Sequence, residues 1–425
     1  MEKRQRKRRR HRRYKLWVVL LPLTVSLVLA GGLLYFGLGL QEPAGWVRQD
    51  GMTCYRDEEG QLLTGWQEID GQRYCFREDG AMLTGWQMMD GNRYYLGQSG
   101  ETAIGWQTVD GETYYFREDG AASTGWQTVD GLRRYFSQEG KAWTGWLEES
   151  GDRYYLGDDF SPVAGWQTVD GTLRYFGEDG VLARGLTDTG DGLYCFDGEG
   201  NRITGWVTLG EYAYYFLEDG RAATQPTVLD GETFYFSPHG VHVLLVNPWH
   251  SLPRDYSVEL VNYGENFRIA QVCADALKTM LRDCAAAGNA AAICSAYRSQ
   301  ADQEYLFQRK LQTYLDQGYS QEEGRLLAGT IVAVPGTSEH QLGLAVDLVD
   351  VNNWNLDETQ ASMPAQQWLM EHSWEYGFIL RYPNGTSEIT GIIYEPWHYR
   401  YVGVEIAREI RELGVTLEEY LNAVL

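Results

Sequence analysis

A Gly-Trp pair returns on a fixed beat through the first half of the chain: Trp46, Trp66, Trp86, Trp106, Trp126, Trp146, Trp166 and Trp206 are spaced by 20 residues or a multiple of it, and Leu186 fills the missing slot. The unit reads like GWQTVDGETYYFREDGAAST, with an Asp-Gly between the tryptophan and an aromatic triplet, and a second Asp-Gly or Glu-Gly after it. Asp-Gly between aromatic or β-branched runs is a strong hairpin signal, because glycine takes the positive φ that a tight turn needs. One hairpin cannot bury its rings alone. Successive hairpins are therefore expected to stack into a β-hairpin solenoid over residues 45–240, with core or ligand sites between neighbours. At the end of the array Gln225-Pro226 replaces Gly-Trp while Phe234-Tyr235-Phe236 is kept, as expected of a terminal unit before a new domain.

The period, the Gly-Trp pair and the Tyr-Tyr-Phe run together make this stretch resemble the choline-binding or cell-wall-binding repeats of Gram-positive surface proteins and the related glucan-binding repeats. In the choline-binding members, a tryptophan of one repeat and tyrosines of the next cage a quaternary ammonium, which aromatic faces attract through their quadrupole. The resemblance implies a set such as Trp106, Tyr114, Tyr115 and Trp126 here, with a choline-bearing wall polymer or a glucan as partner. Read from the residues alone, the same rings serve equally to stack hairpin on hairpin.

Charge divides the chain at its start. Residues 1–15 carry ten of the 36 Lys and Arg and one of the 59 Asp and Glu, so the remainder is strongly acidic. Leu16 to Leu40 is free of charge, and about 20 apolar residues suffice to cross a bilayer as a helix. The basic flank orients such a span with residues 1–15 in the cytoplasm and everything after it outside. The expectation is a single-pass signal-anchor in the cell membrane, in preference to a signal peptide cut after Ala30, because apolar sequence continues past that point. The position of the basic cluster beside the span accounts for it without a nucleic-acid partner. Of the six cysteines, Cys54, Cys75 and Cys195 fall at aromatic positions of the repeat, and none of the spacings resembles a zinc knuckle.

Past about Val241 the rhythm stops and amphipathic patterns begin. ENFRIAQVCADALKTMLRDCAAAG reads as a helix ending at Gly288, AAICSAY as a buried strand, and SQADQEYLFQRKLQTYLDQG as a helix capped by Ser299 and stopped by Gly318. QQWLMEHSWEYG reads as helix, IIYEPWHYRYVG as strand and VEIAREIRELG as a closing helix. Helices and short strands mix without a βαβ rhythm, which indicates an α+β domain over 241–425.

Within it, SEHQLGLAVDL sets His340 seven residues before Asp347 with Gly343 between. Glycine breaks a helix and LAVDLVD alternates as a strand does, so the segment reads as a turn into a strand, with His340 free to fold back toward Asp347. A metal ion is one reason to unite an imidazole and a carboxylate. YEPWHYRYVG supplies His398 and, three residues earlier, Glu395; Pro396 bends the strand so that both approach one site. Two imidazoles and a carboxylate leave a fourth position open for water, the catalytic zinc pattern. Glu395 is then the expected proton acceptor, and Arg298, directly after a predicted strand, the partner of a developing oxyanion. His239, His242, His250 and His372 are read as structural or exposed.

SEHQLGLAVD matches the Ser-x-His-x-x-Gly-x-Ala-x-Asp signature of the zinc peptidases that include VanY-type D-alanyl-D-alanine carboxypeptidases, and EPWH matches their Glu-x-x-His. SAYRS stands where the family more often has Ser-Gly-Tyr-Arg-Ser, and LLVNPWHSLPRDY looks like the opening of that domain. The resemblance covers about residues 244–405. It implies Zn2+ on His340, Asp347 and His398, Glu395 as general acid and base, Arg298 on the oxyanion or substrate, and Ser338 and Gln303 positioning the peptide. The implied substrate is the D-alanyl-D-alanine end of a peptidoglycan stem peptide. A dipeptidase or endopeptidase of the same superfamily, or a non-enzymatic adhesin, are the competing readings; retention of Glu395 argues against the last. The whole chain is thus expected to be a transmembrane helix, a β-hairpin solenoid and an α+β zinc peptidase domain.

Overall fold

The computed structural model describes residues 44–424 except 211, 254 and 255. The expected basic segment and membrane span, residues 1–15 and 16–40, lie outside the described residues. Among the described residues no helix is long and apolar enough to cross a membrane. Two compact units are present: residues up to Thr144 with Asp158–Ser161, and Gly145–Gly157 with everything from Pro162 onward.

In the first unit each repeat is one antiparallel hairpin, with the tryptophan opposite the middle residue of the aromatic triplet, as in Trp106 against Tyr115. Asp110 and Gly111 both take positive φ, 54° and 84°, the left-handed pair that a two-residue hairpin turn of the favoured hand requires. The strand alternation then sends Tyr114 and Phe116 inward, where they are 4% and 1% exposed. The backbone also ties repeats together: Ala122 donates to the Arg93 carbonyl at 2.8 Å, and Ala142 to that of Thr113 at 2.8 Å. No hairpin in this arrangement is self-sufficient.

The second unit continues the hairpins from Gly145 and carries the α+β domain. There a four-stranded antiparallel sheet has the order Ala291–Ser295, Ala345–Asp350, Glu395–Tyr401, Phe378–Tyr382. The helix Gln271–Ala286 buries Cys273, Leu277, Met280 and Cys284 against it. The helix expected from Glu265 begins later, because Phe267–Ala270 is a strand paired with Leu260–Tyr263. A helical period and a short apolar strand look alike over four residues, and pairing decided between them. Ser299 caps Gln300–Asp316 through a reciprocal capping box with Asp302, as its sequence indicates. AAICSAY forms the predicted strand, but at the edge of the sheet and only partly buried.

The last repeat hairpin does not end the array independently. Tyr235, Val243 and Leu245 share one core with Ile379, Ile406, Ala407, Ile410, Leu417 and Tyr420 of the α+β domain. Packing therefore joins it to the α+β side of the 240/241 boundary expected from composition. All six cysteines are free thiols.

Candidate active site

Strand register brings the site together. Asp347 lies directly opposite His398 on one side and Ser295 on the other, so three strands present one row of side chains. His340 arrives from the short 3-10 turn Glu339–Leu342. Gly343 reverses the chain after it at φ 74°, where a Cβ would lie 3.0 Å from Leu260 and 3.3 Å from the Ala270 backbone nitrogen; glycine alone fits that conformation and that gap. On the far edge, pairing steps from Leu380–Tyr399 to Tyr382–Glu395. The Pro396–His398 stretch thus bulges, and Glu395 reaches the face that holds His398. This is the bend that Pro396 predicted.

The geometry fixes which nitrogen faces inward. His340 Nδ1 lies 2.7 Å from the Ala296 carbonyl and must donate to it, which leaves Nε2, 3.2 Å from Asp347 Oδ2, as its free lone pair. His398 turns Nδ1 toward Asp347 Oδ1 at 3.1 Å. One donor atom from each of His340, Asp347 and His398 lies within 4.8 Å of the others, and all three residues are buried. Glu395 Oε2 stands 3.6 Å from His398 Nδ1, beside this cluster. Two nitrogens, a carboxylate oxygen and an adjacent carboxylate suit a divalent zinc ion with one open position.

Electrostatics are set by burial and by partners. Burial pulls His340 down to about 4, with the Arg298 charge acting in the same direction. Burial alone would raise Asp347, but His340, His398 and Arg298 hold it well below the usual carboxylate range. Desolvation pushes Glu395 up to about 8, with Asp347 and Glu339 adding to it and His398 opposing. A carboxyl poised near neutrality both takes and returns a proton.

A cavity of about 260 Å³ opens onto these groups and is also walled by Lys310, Leu356, Tyr382 and Trp397.

The VanY family model, D-alanyl-D-alanine carboxypeptidase, matches residues 266–404. A D-alanyl-D-alanine carboxypeptidase of Enterococcus faecalis is 41% identical over 181 residues, 42% of this chain and 65% of that protein. The Bacillus subtilis protein YodJ is 35% identical over 207 residues, 46% of this chain and 72% of its own length. The chain belongs to the VanY D-alanyl-D-alanine carboxypeptidase family. Its match spans just under two thirds of the Enterococcus relative. A VanY D,D-pentapeptidase from a VanB-type vancomycin resistance cassette, solved with Zn(II), is 40% identical, with 42% of this chain and 98% of that one covered at a TM-score of 0.39. Ahead of the VanY domain the choline-binding repeat model matches 63–105 and 123–159, and a cell wall binding repeat model matches 104–122 and 204–222.

One residue that the VanY resemblance assigned to the substrate stands elsewhere. Gln303 is fully buried; its amide donates to the Ala333 carbonyl at 2.7 Å and faces Arg298, so it backs the arginine and does not touch the cavity. Arg298 itself donates to Asp347 at 2.9 Å and to Ser295 at 3.0 Å. Its guanidinium is therefore held at the mouth of the cluster. Ser338 does line the cavity. Sequence reasoning passed over Glu339, Arg381 and Arg400, which stand behind His398. A signal existed for two of them: Glu339 precedes His340, and Arg400 shares the parity of His398 on one strand.

The set Trp106, Tyr114, Tyr115 and Trp126 does not form one cage. Tyr114 packs on Trp86 at 4.8 Å, Trp126 on Tyr135 at 5.2 Å, and only Tyr115 stays with Trp106, at 5.2 Å. The reason lies in the register: a tryptophan meets the tyrosine 28 residues on, and for Trp106 that position is Arg134. The Arg134 guanidinium lies 5.2 Å from the Trp106 ring, and Phe160, at a position where other repeats have glycine, stacks on it at 5.6 Å. Arg73, Arg93, Arg133 and Arg153 likewise cover Trp66, Trp86, Trp126 and Trp146 at 3.7–4.2 Å. No guanidinium of the described residues covers Trp46 or Trp206.

Proposed function

We propose that the chain is a membrane-anchored, wall-binding zinc D,D-carboxypeptidase that hydrolyses the terminal D-Ala-D-Ala bond of peptidoglycan stem peptides. The observation that carries the reading is the convergence of His340 Nε2, Asp347 and His398 Nδ1 with Glu395 alongside and outside the donor set. His340, Asp347 and His398 would hold a zinc ion, which would supply Lewis acidity and make water acidic enough to attack near neutral pH. Glu395 accepts the proton of the attacking water and returns it to the leaving amine. Arg298, fixed by Asp347 and Ser295, offers positive charge where the carbonyl oxygen becomes negative. Trp397, Leu356 and Tyr382 line the cavity where the small methyl side chain of the D-alanyl end would sit. The charge-free 16–40 segment and its basic flank support anchoring, with the repeats and the peptidase outside. The repeats hold wall polymer, and Trp46 and Trp206, which no arginine of the described residues covers and which are 42% and 46% exposed, suit a quaternary ammonium such as choline.

Metal analysis and hydrolysis rates of two variants test the reading. Glu395→Gln keeps about one zinc per chain and lowers turnover by about 10²–10⁴-fold, whereas His340→Ala loses the metal because two protein ligands remain. Zinc retained in the histidine variant, or full activity in the glutamate variant, contradicts it. Weighing the products from a pentapeptide stem fixes the bond: release of one alanine is expected, and release of a dipeptide or a cut within the stem means a related zinc peptidase.

A further inference from the structure

Behind His398, on the side away from Asp347, three buried polar atoms lack a hydrogen-bond partner: His398 Nε2, Glu339 Oε2 and Arg400 Nη1. The first two face each other at 3.6 Å. Glu339 is 1% exposed, and its other oxygen is already committed, receiving Arg381 Nε at 2.8 Å and lying 3.1 Å from Arg400 Nη1. A buried carboxylate oxygen with no partner is costly, and so is a buried ring N–H. Each is the natural remedy for the other.

We propose that Glu339 is the positioning residue for His398: it accepts the Nε2 proton and so fixes the tautomer that leaves Nδ1 as the lone pair facing His340 and Asp347. The inference rests on His398 being a zinc ligand. A carboxylate behind a ligating imidazole orients the ring and raises its basicity. Glu339 is itself held from behind. Arg381, fully buried, donates to Glu418 with both Nη atoms, and Asn247 donates to Glu418 at 3.0 Å. Asn247 accepts from His250 Nδ1 at 2.8 Å, and His250 Nε2 accepts the hydroxyl of Tyr235 in the last repeat hairpin. One polar chain therefore runs from the ring of His398 to the repeats.

Glu339→Gln makes the sharp test. Arg381 and Arg400 both require an acceptor, so they retain the amide oxygen and the NH₂ faces His398. A donor there favours the opposite tautomer, with the proton on Nδ1 and the inward lone pair lost. Zinc affinity, measured by competition with a chromophoric chelator on the full chain, is expected to fall by about 10–100-fold. Asp350→Asn is the control. It removes another buried carboxylate, whose oxygens accept from Asn352 and Ala365 and touch no site residue, and should leave zinc affinity within about threefold. Wild-type affinity in Glu339→Gln, or equal weakening in Asp350→Asn, overturns the proposal. Should Glu339→Gln not fold, the ¹⁵N spectrum of the zinc-loaded wild type decides: a proton on His398 Nε2 is required, and its absence overturns the assignment. Failure of the wild type to bind zinc would instead bring down the zinc reading, and this inference with it.

Discussion

The repeats and the VanY domain use the same residue types in opposite ways, and arginine shows it best. In the repeats, the Arg93 guanidinium lies over the Trp86 ring at 3.7 Å and is partly exposed to water. In the peptidase domain, Arg381 and Arg400 are 0% and 1% exposed and sit among Glu339 and Glu418. Among the described repeat residues Arg134 is the only buried charged side chain, whereas Glu339, Asp347, Asp350, Glu395 and Glu418 are all buried carboxylates of the peptidase domain. A hairpin stack keeps its charges wet and its rings dry, so each internal repeat is stabilised by its neighbours. The peptidase takes ions out of water at a cost; the return is orientation of two imidazoles, not stability.

The comparison breaks most readily at Arg381. Arg381→Leu leaves Glu418 buried without a counter-charge and Glu339 with Arg400 alone, and stability of the peptidase domain should fall by about 3–5 kcal/mol. Urea unfolding of the full chain, followed by loss of hydrolysis and by ring fluorescence, should show the enzyme failing well before the hairpins of the first unit. A single shared transition would mean that the two regions are not energetically separate.

A smaller effect is expected from acid. His242 sits among Trp206, Phe234 and Phe236, and burial pushes its pKa down to about 4. The unfolded chain titrates near about 6.5, so between those values the unfolded state binds a proton that the folded state refuses. Stability should therefore decline as pH falls through that window, and His242→Phe should flatten the decline in a thermal melt series. An unchanged slope would remove His242 as its source.

The smallest is Arg93→Ala. Losing one ring-face cation costs about 0.5–1 kcal/mol and leaves hydrolysis unchanged, the counterpart of Arg381→Leu. It also uncovers Trp86, so choline should perturb the ring fluorescence of the variant more than that of the wild type.

What could be read from sequence follows the same division. Asp110-Gly111 dictates its turn, Ser299 its capping box and Gly343 its reversal, because each is a local conformational demand. His340, Asp347, Glu395 and His398 stood out because their spacing matches a known signature. Three things escaped. Phe267–Ala270 was decided by a strand partner, the ring partners of Trp106 by an arginine 28 residues away, and the Glu339–Arg381–Glu418 assembly by segments that only the sheet brings together. Such long-range polar contacts leave no period in the sequence.

The shared core of Tyr235, Val243 and Leu245 with Ile406 and Ile410 also bears on how such a gene could be assembled. Repeat arrays lengthen and shorten by recombination between near-identical units, and a crossover between two internal repeats only changes the number of hairpins. A crossover just after residue 240 would instead strip the enzyme of the strand that carries Tyr235, and with it one ring packed under its C-terminal helices and the hydroxyl bonded to His250. The seam at which this array is exchangeable thus lies ahead of Gln225-Pro226, where the Gly-Trp beat itself gives out.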